Sequence, residues 1–200
     1  MKILAAGCLH NNTEFIESLA QKADDENVDL VVLAGDLTLG EASTEGIIGP
    51  FARRNRKVAL VPGNHETAST ADFLAQKYDA TNLHGYGFNH GDIGIFGCGG
   101  ANIGVHQLTE TDIFKYLEKA HKNIAETKKK IMVTHVHPAE SVMEQFSEFV
   151  KGSTGVTQAI EAFKPDILLC SHVHEASGLE ETIGTTRVIN VAKTGKIIEL

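Results

Sequence analysis

The chain has no tryptophan, three tyrosines and four prolines among its 200 residues. So few stacking rings weaken the case for a surface that binds single-stranded nucleic acid. Acidic residues outnumber basic ones 26 to 18, for a formal net charge of −8. That balance argues against a protein that coats extended nucleic acid through a positive face. The basic clusters, Arg53, Arg54 and Arg56 and then Lys128, Lys129 and Lys130, are expected to be solvated helix or turn positions. No apolar run approaches the ~18 residues that cross a bilayer, so no membrane partner is expected. The first residues offer only Lys2 and a brief apolar run that passes straight into polar sequence. They are not expected to act as a signal peptide. Cysteine is scarce as well: Cys8, Cys98 and Cys170 form no Cys-x-x-Cys pair and leave one over from any single bridge. Free thiols in a reducing, cytoplasmic compartment are the expectation.

What the chain does have is a series of short, β-branched apolar segments. They fall at 2–8, 29–34, 58–61, 93–97, 131–134, 167–170, 187–191 and 196–198, lengths that suit strands. Helical periodicities lie between several of them. Thr13 to Ala23 aligns Phe15, Ile16, Leu19, Ala20 and Ala23, with Asn12 or Thr13 as N-cap. Thr111 to Glu126 aligns Ile113, Leu117, Ala120 and Ile124 against a charged face, and Val156 to Phe163 stops before Pro165. The glycine-rich stretch His84–Gly104 reads as a hairpin. The order β-α-β-α-β followed by strands predicts an α/β fold with some antiparallel pairing. With 42% hydrophobic residues, no internal repeat and no linker, residues 1–200 read as one domain.

In an open α/β sheet, ligands gather where strands release the chain at their carboxyl ends. Each strong strand here releases into potential metal ligands: Cys8 and His10, then Asp36, then Asn64, His65 and Glu66, then His135 and His137, and last His172 and His174. One histidine in such a place is most simply a packed residue; several, with a carboxylate and an amide, make a pattern. Imidazoles suit Zn, Fe, Ni, Co and Mn, while carboxylate and amide oxygens add harder contacts. A carboxylate can hold two cations ~3.5–4 Å apart, a pair that clamps a phosphoryl group and acidifies water. Gly35 and Gly63 allow tight backbone paths just before Asp36 and Asn64. Metal-assisted hydrolysis of a phosphate ester follows from that chemistry.

The ordered motifs GCLH, GD, GNHE, TH and SHVH, spread over residues 3 to 174, resemble the calcineurin-like metallophosphoesterase family, in particular its small Icc-related prokaryotic-type members. The resemblance implies a four-layer αββα sandwich, with mixed sheets flanked by helices and two divalent metal ions at the strand ends. It implies that Asp36 bridges the metals. Position 8, His10 and His174 would complete the first site, and Asn64, His135 and His172 the second. Attack by a metal-activated hydroxide is implied, with His65 contacting the phosphate and protonating the leaving oxygen. Glu66 would either orient His65 or serve as an acid at a helix N-terminus. His137 either lines the pocket as a substrate contact or plays a surface or structural part. Cys98, Cys170, His84, His90, His106 and His121 take no part in the chemistry. The expected substrate is a small-molecule phosphodiester, with a phosphomonoester next; a homodimer is compatible with this reading.

The sequence departs from the family at two positions. Ser171 stands where glycine usually precedes the histidine, which could crowd the backbone. Cys8 stands where aspartate is usual, and three readings stay open. Cys8 binds as a thiolate, with a Zn–S bond of ~2.3 Å offsetting its shorter side chain and favouring Zn or Fe. Alternatively it falls short and weakens the first site. In the third reading the chain is a catalytically impaired metal-binding scaffold. A thiolate in an open site would also be exposed to peroxide.

Overall fold

The computed structural model describes residues 1–124 and 127–200. In chain order the elements are β1 (Lys2–Ala6), α1 (Thr13–Asp25), β2 (Leu30–Ala34), α2 (Gly49–Ala52), β3 (Val58–Val61), α3 (Ala68–Tyr78) and β4 (Thr81–Asn82). They continue with β5 (Tyr86–His90), β6 (Ile93–Cys98), α4 (Glu110–Lys122), β7 (Lys129–Thr134), α5 (Thr154–Phe163), β8 (Ile167–Cys170), β9 (Glu180–Ile183), β10 (Thr186–Asn190) and β11 (Lys196–Glu199).

Two mixed sheets result. The first has the order β11-β1-β2-β3-β4, parallel from β1 to β4 with β11 antiparallel at one edge. The second has the order β5-β6-β7-β8-β10-β9, with a parallel centre and antiparallel edges. Alternation along the strands sorts the apolar side chains into three cores. Ile3, Ala5, Val32, Val61, Ile95, Val133, Leu169 and Ile189 fill the space between the sheets. Leu4, Leu33 and Leu60 turn the other way, onto Ile16 and Leu19 of α1 and Leu74 of α3. Phe96, Met132 and Leu168 pack against Ile113 and Leu117 of α4 and Val156 and Ile160 of α5. Three cores between four layers make the expected αββα sandwich. Each fully buried Leu, Ile or Val contributes about 1.5–3 kcal/mol over an exposed one, so a one-residue slip in any central strand would be heavily penalised.

Several details differ from the sequence reading. The first strand ends at Ala6, because Cys8 and His10 adopt positive φ of 54° and 46° and leave the sheet. Helix α3 was not expected: Phe73 is half exposed on its outer face while Ala71, Leu74 and Ala75 are buried, which blurs the apolar stripe. Strands β4 and β9 were also missed, being short and polar. Helix α4 begins at Glu110 behind the Thr109 cap and its last helical residue is Lys122; the expected end at Glu126 lies outside the described residues. The expected hairpin is β5–β6, paired from Tyr86↔Gly97 to His90↔Ile93.

The basic clusters are tied into this frame. Arg54 reaches Glu17 and Arg56 reaches Asp24, each at 2.6 Å, and Lys128 reaches Asp92 at 2.6 Å. Among the described residues, no helix is long and apolar enough to cross a membrane.

Candidate metal centre

The parallel strands of both sheets deliver their carboxyl ends to one place. The Gly7 N–H donates to the Val191 carbonyl at 3.0 Å, joining the end of β1 to the end of β10. The Gly100 N–H donates to the Pro62 carbonyl at 2.9 Å, joining β3 to β6. The loops leaving these strands are bent hard. Cys8, His10, Asp36 and His172 all have positive φ, Asp36 at 51° and His172 at 73°. Each such non-glycine residue costs on the order of 1–2 kcal/mol, and strain of this kind clusters at functional sites.

Asp36 sits at the centre, 3% exposed. Its Oδ1 accepts the backbone N–H groups of Asn64 and His65 at 3.0 and 3.2 Å. Its Oδ2 lies 3.3 Å from His135 Nε2 and 3.8 Å from His10 Nε2. Burial pushes this carboxyl up, but the surrounding imidazoles, His135 first, outweigh it and hold it below the usual carboxylate range. The close approach requires glycine at 63, since a Cβ there would overlap both Asp36 Oδ1 and the Asp36 backbone nitrogen.

In the first expected ligand set, His10 Nε2 and His174 Nε2 are 3.3 Å apart, and the sulfur of Cys8 is grouped with both. In the second, His135 Nε2 is 3.0 Å from Asn64 Oδ1, and the His172 ring lies edge-on to that of His135 at 4.8 Å. Ligand atoms of Cys8, His10 and His174 lie within 4.8 Å of one another, as do those of Cys8, Asp36 and His135. The donor set fits divalent cations. Burial holds His10 down to about 4 and His172 to about 3, so both are neutral with free lone pairs near pH 7. The His172 Nε2 is buried, and among the described residues it has no hydrogen-bond partner. Such an orphan acceptor is costly unless a ligand satisfies it.

The supporting residues are as specific as the ligands. His135 Nδ1 is 2.9 Å from the Ala34 carbonyl and 2.9 Å from Ser171 Oγ. With the proton on Nδ1, the Nε2 lone pair turns toward Asp36 and Asn64, the tautomer that metal binding requires. Ser171 does not crowd the backbone; its hydroxyl donates to the Ala34 carbonyl, and Gly7 gives it room. Glu66, 1% exposed, takes neither of its expected parts. It lies before the Thr67 cap of α3, and its carboxylate accepts the N–H groups of Leu37 (3.0 Å), Thr38 (3.1 Å) and Gly63 (2.6 Å). It therefore ties the Asp36 loop to the Asn64 loop. His65 is oriented instead by Gly40, whose N–H donates to Nδ1 at 3.2 Å. The sequence reading passed over this contact, because Gly40 belongs to no motif.

His137 is fully buried and both ring nitrogens lack partners among the described residues; burial holds it down to about 4. A surface part is excluded, and the ring presents no exposed atom to a substrate. Cys98 and Cys170 are core thiols. His84 accepts the Gly99 N–H at 3.1 Å, and His121 stacks on Phe163. Lys193, also unmarked in the sequence, lines a cavity of about 300 Å³ with Cys8, Leu9, His10, Asn12 and Phe15. Cys8 itself is 1% exposed, and burial together with Asp36 pushes its thiol up to about 12. In the metal-free protein it is a buried neutral thiol, which does not meet the exposure that peroxide chemistry requires.

Residues 1–176 match the family model for calcineurin-like phosphoesterases. The chain belongs to that family. Its members are metal-dependent phosphoesterases, and the residues gathered around Asp36 are candidate ligands for their two metals. Solved structures agree on the fold. TT1561 of Thermus thermophilus superposes with a TM-score of 0.74 at 19% identity, covering 94% of this chain and 88% of that one. A novel archaeal phosphodiesterase gives 0.55 at 16% identity, covering 95% and 82%. A dimetal phosphatase from Danio rerio gives 0.64 at 10% identity, covering 95% and 86%. Among curated proteins, none matches the sequence.

Proposed function

We propose that this calcineurin-like phosphoesterase is catalytically competent and hydrolyses a small phosphate ester at a two-metal centre. The observation that carries the reading is the carboxylate of Asp36. One oxygen is pinned by two backbone N–H groups, and the other lies 3.3 Å from His135 Nε2 and 3.8 Å from His10 Nε2, between members of the two proposed ligand sets. A bridging ligand needs that arrangement. Cys8, His10, Asp36 and His174 would hold one cation, and Asp36, Asn64, His135 and His172 the other. Bound there, the cations would supply Lewis acidity toward the phosphoryl oxygens and a nucleophile from water at neutral pH.

The chain's own part is positioning and proton transfer. With Nδ1 accepting the Gly40 N–H, neutral His65 carries its proton on Nε2. The His65 ring stands 4.9 Å from that of His10, beside the ligands. It can therefore bind a phosphate oxygen through Nε2–H, and in its protonated form, with the Gly40 contact released, give a proton to the leaving group. Glu66 keeps Asp36 and Asn64 in register. A phosphodiester is the first choice of substrate and a phosphomonoester the second, with Zn or Fe favoured at the first site by a sulfur ligand. The same reading has residues 1–200 acting as one domain in the cytoplasm, and a homodimer is compatible with it.

The test is to load the purified protein with Mn, Zn, Fe, Ni or Co and assay bis- and mono-p-nitrophenyl phosphate. Turnover of the diester that needs metal and is lost in Asp36→Ala is expected. Bound ions without hydrolysis of either ester would leave the scaffold reading in its place.

A further inference from the structure

Eight large apolar side chains are exposed among the described residues, and six of them sit on loops that leave strands at the same carboxyl ends as the metal ligands. Leu39, 55% exposed, follows β2. Ile103 and Val105, 41% and 86% exposed, follow β6. Val142, Phe146 and Phe149 follow β7, the last 83% exposed. Exposed apolar groups of this size on loops around one set of strand ends make a candidate binding surface.

Contacts connect this collar to the site. Gly104, between Ile103 and Val105, packs so closely that a Cβ on it would fall 2.7 Å from the Asn64 amide nitrogen. Asn102 donates to the Gly152 carbonyl at 3.1 Å, joining the β6 loop to the loop that carries Phe146 and Phe149. On the other side, Leu39 adjoins Gly40, whose N–H orients His65. Asn64 and His65 thus lie between two exposed apolar edges.

Charge decides what kind of molecule suits the collar. Residues 37–48 carry Glu41 and Glu45, residues 99–109 carry no Asp, Glu, Lys or Arg, and residues 139–152 carry Glu140, Glu144 and Glu148 against Lys151. Across these three loops a substituent with further phosphates would meet net negative charge and no arginine, Lys193 lying beside His10 instead, which disfavours nucleotides and nucleic acid on this side. An uncharged apolar chain meets no such penalty and covers exposed side chains.

We propose that the substrate is an amphiphilic phosphate ester, its phosphate at the metal centre and an uncharged apolar chain lying across Ile103, Val105, Phe146 and Phe149. This rests on the phosphoesterase reading above and names its substrate class. The test compares methyl and octyl p-nitrophenyl phosphodiesters, below micelle-forming concentrations, on the metal-loaded protein. The leaving group is constant, so only the chain varies. The octyl ester should show a kcat/KM at least about tenfold above the methyl ester. In the double variant V105S/F149S, altered at two exposed positions, that ratio should fall to within about threefold of one. A ratio near one in the unaltered protein, with the methyl ester hydrolysed, would overturn the proposal and leave the phosphoesterase reading standing.

If neither diester is hydrolysed, the diester reading fails, and the phosphoesterase reading fails with it if mono-p-nitrophenyl phosphate is also left intact. Calorimetry with octylphosphonate and methylphosphonate then decides the collar alone: tighter octylphosphonate binding supports it, and equal affinity overturns it. Equal turnover of the two esters, with a dimer that V105E disperses, would assign the collar to a second copy and overturn the proposal. Equal turnover with flotation on neutral phosphatidylcholine vesicles would assign it to a membrane surface and overturn the proposal likewise.

Discussion

The sulfur of Cys8 accepts the backbone N–H of His172 at 3.3 Å. Cys8 therefore joins the first motif to the last. A sulfur in that position lies within 4.8 Å of ligand atoms of His10 and His174 and of Asp36 and His135. Cys8→Ser should lose about one bound metal per chain and lower turnover, while Cys8→Asp should keep both metals. Elemental analysis gives the count. In the cobalt-loaded protein, a thiolate-to-cobalt charge-transfer band should be present and should vanish in Cys8→Ser. An unchanged band and metal content would show that Cys8 is not a ligand.

The Gly40 N–H donates to His65 Nδ1 at 3.2 Å, which leaves Nε2 for the substrate. His65→Ala should lower kcat by about 10²–10⁴-fold, the usual worth of a positioned general acid. Metal content should stay at the unaltered level, because the proposed ligand sets do not include it. Should His65→Ala release a metal, its part would have to be reassigned to coordination.

Glu66→Gln would place an amide where the carboxylate accepts three backbone N–H groups and the Thr38 hydroxyl. At least one donor would then face another. A loss of about 2–4 kcal/mol is expected from denaturant unfolding of the metal-free protein. Weaker metal binding should accompany it, since the two loops that Glu66 joins carry Asp36 and Asn64. A variant as stable as the unaltered chain would remove Glu66 from this part.

Glu41 accepts the Thr67 N–H and the hydroxyls of Thr67 and Thr70 at the start of α3. These hydrogen bonds, the backbone one first, hold its carboxyl down to about 2 from an ordinary 4.5. A folded pKa below the unfolded one means a contribution present above pH 4.5 and lost as pH falls toward 2. Glu41→Gln should therefore lower Tm at pH 6, and the gap should close between about pH 4.5 and pH 2. A gap independent of pH would show that the carboxylate charge is not what holds the turn.

Local patterns carried most of the frame. Alternating β-branched runs located eight of the eleven strands, and the 3.6-residue spacing located α1, α4 and α5. Helix α3 was hidden by Phe73 on its outer face, and β4 and β9 by their length and polarity. The candidate ligand positions were legible because strand ends followed by His, Asp and Asn recur in one order.

The sequence alone determined which groups could meet, since residue type and strand-end position are local properties. Only the tertiary structure decided how they meet. The left-handed turns at Cys8, His10, Asp36 and His172, the Gly40 N–H on His65 and the Ala34 carbonyl beside His135 all depend on backbone from distant segments. Glu66 shows the difference most plainly. Its place beside His65 in the chain suggested a partner for that ring, yet its carboxylate turns to the N–H groups of residues 37, 38 and 63. A buried carboxylate goes where unpaired donors converge, and convergence is a property of the folded chain.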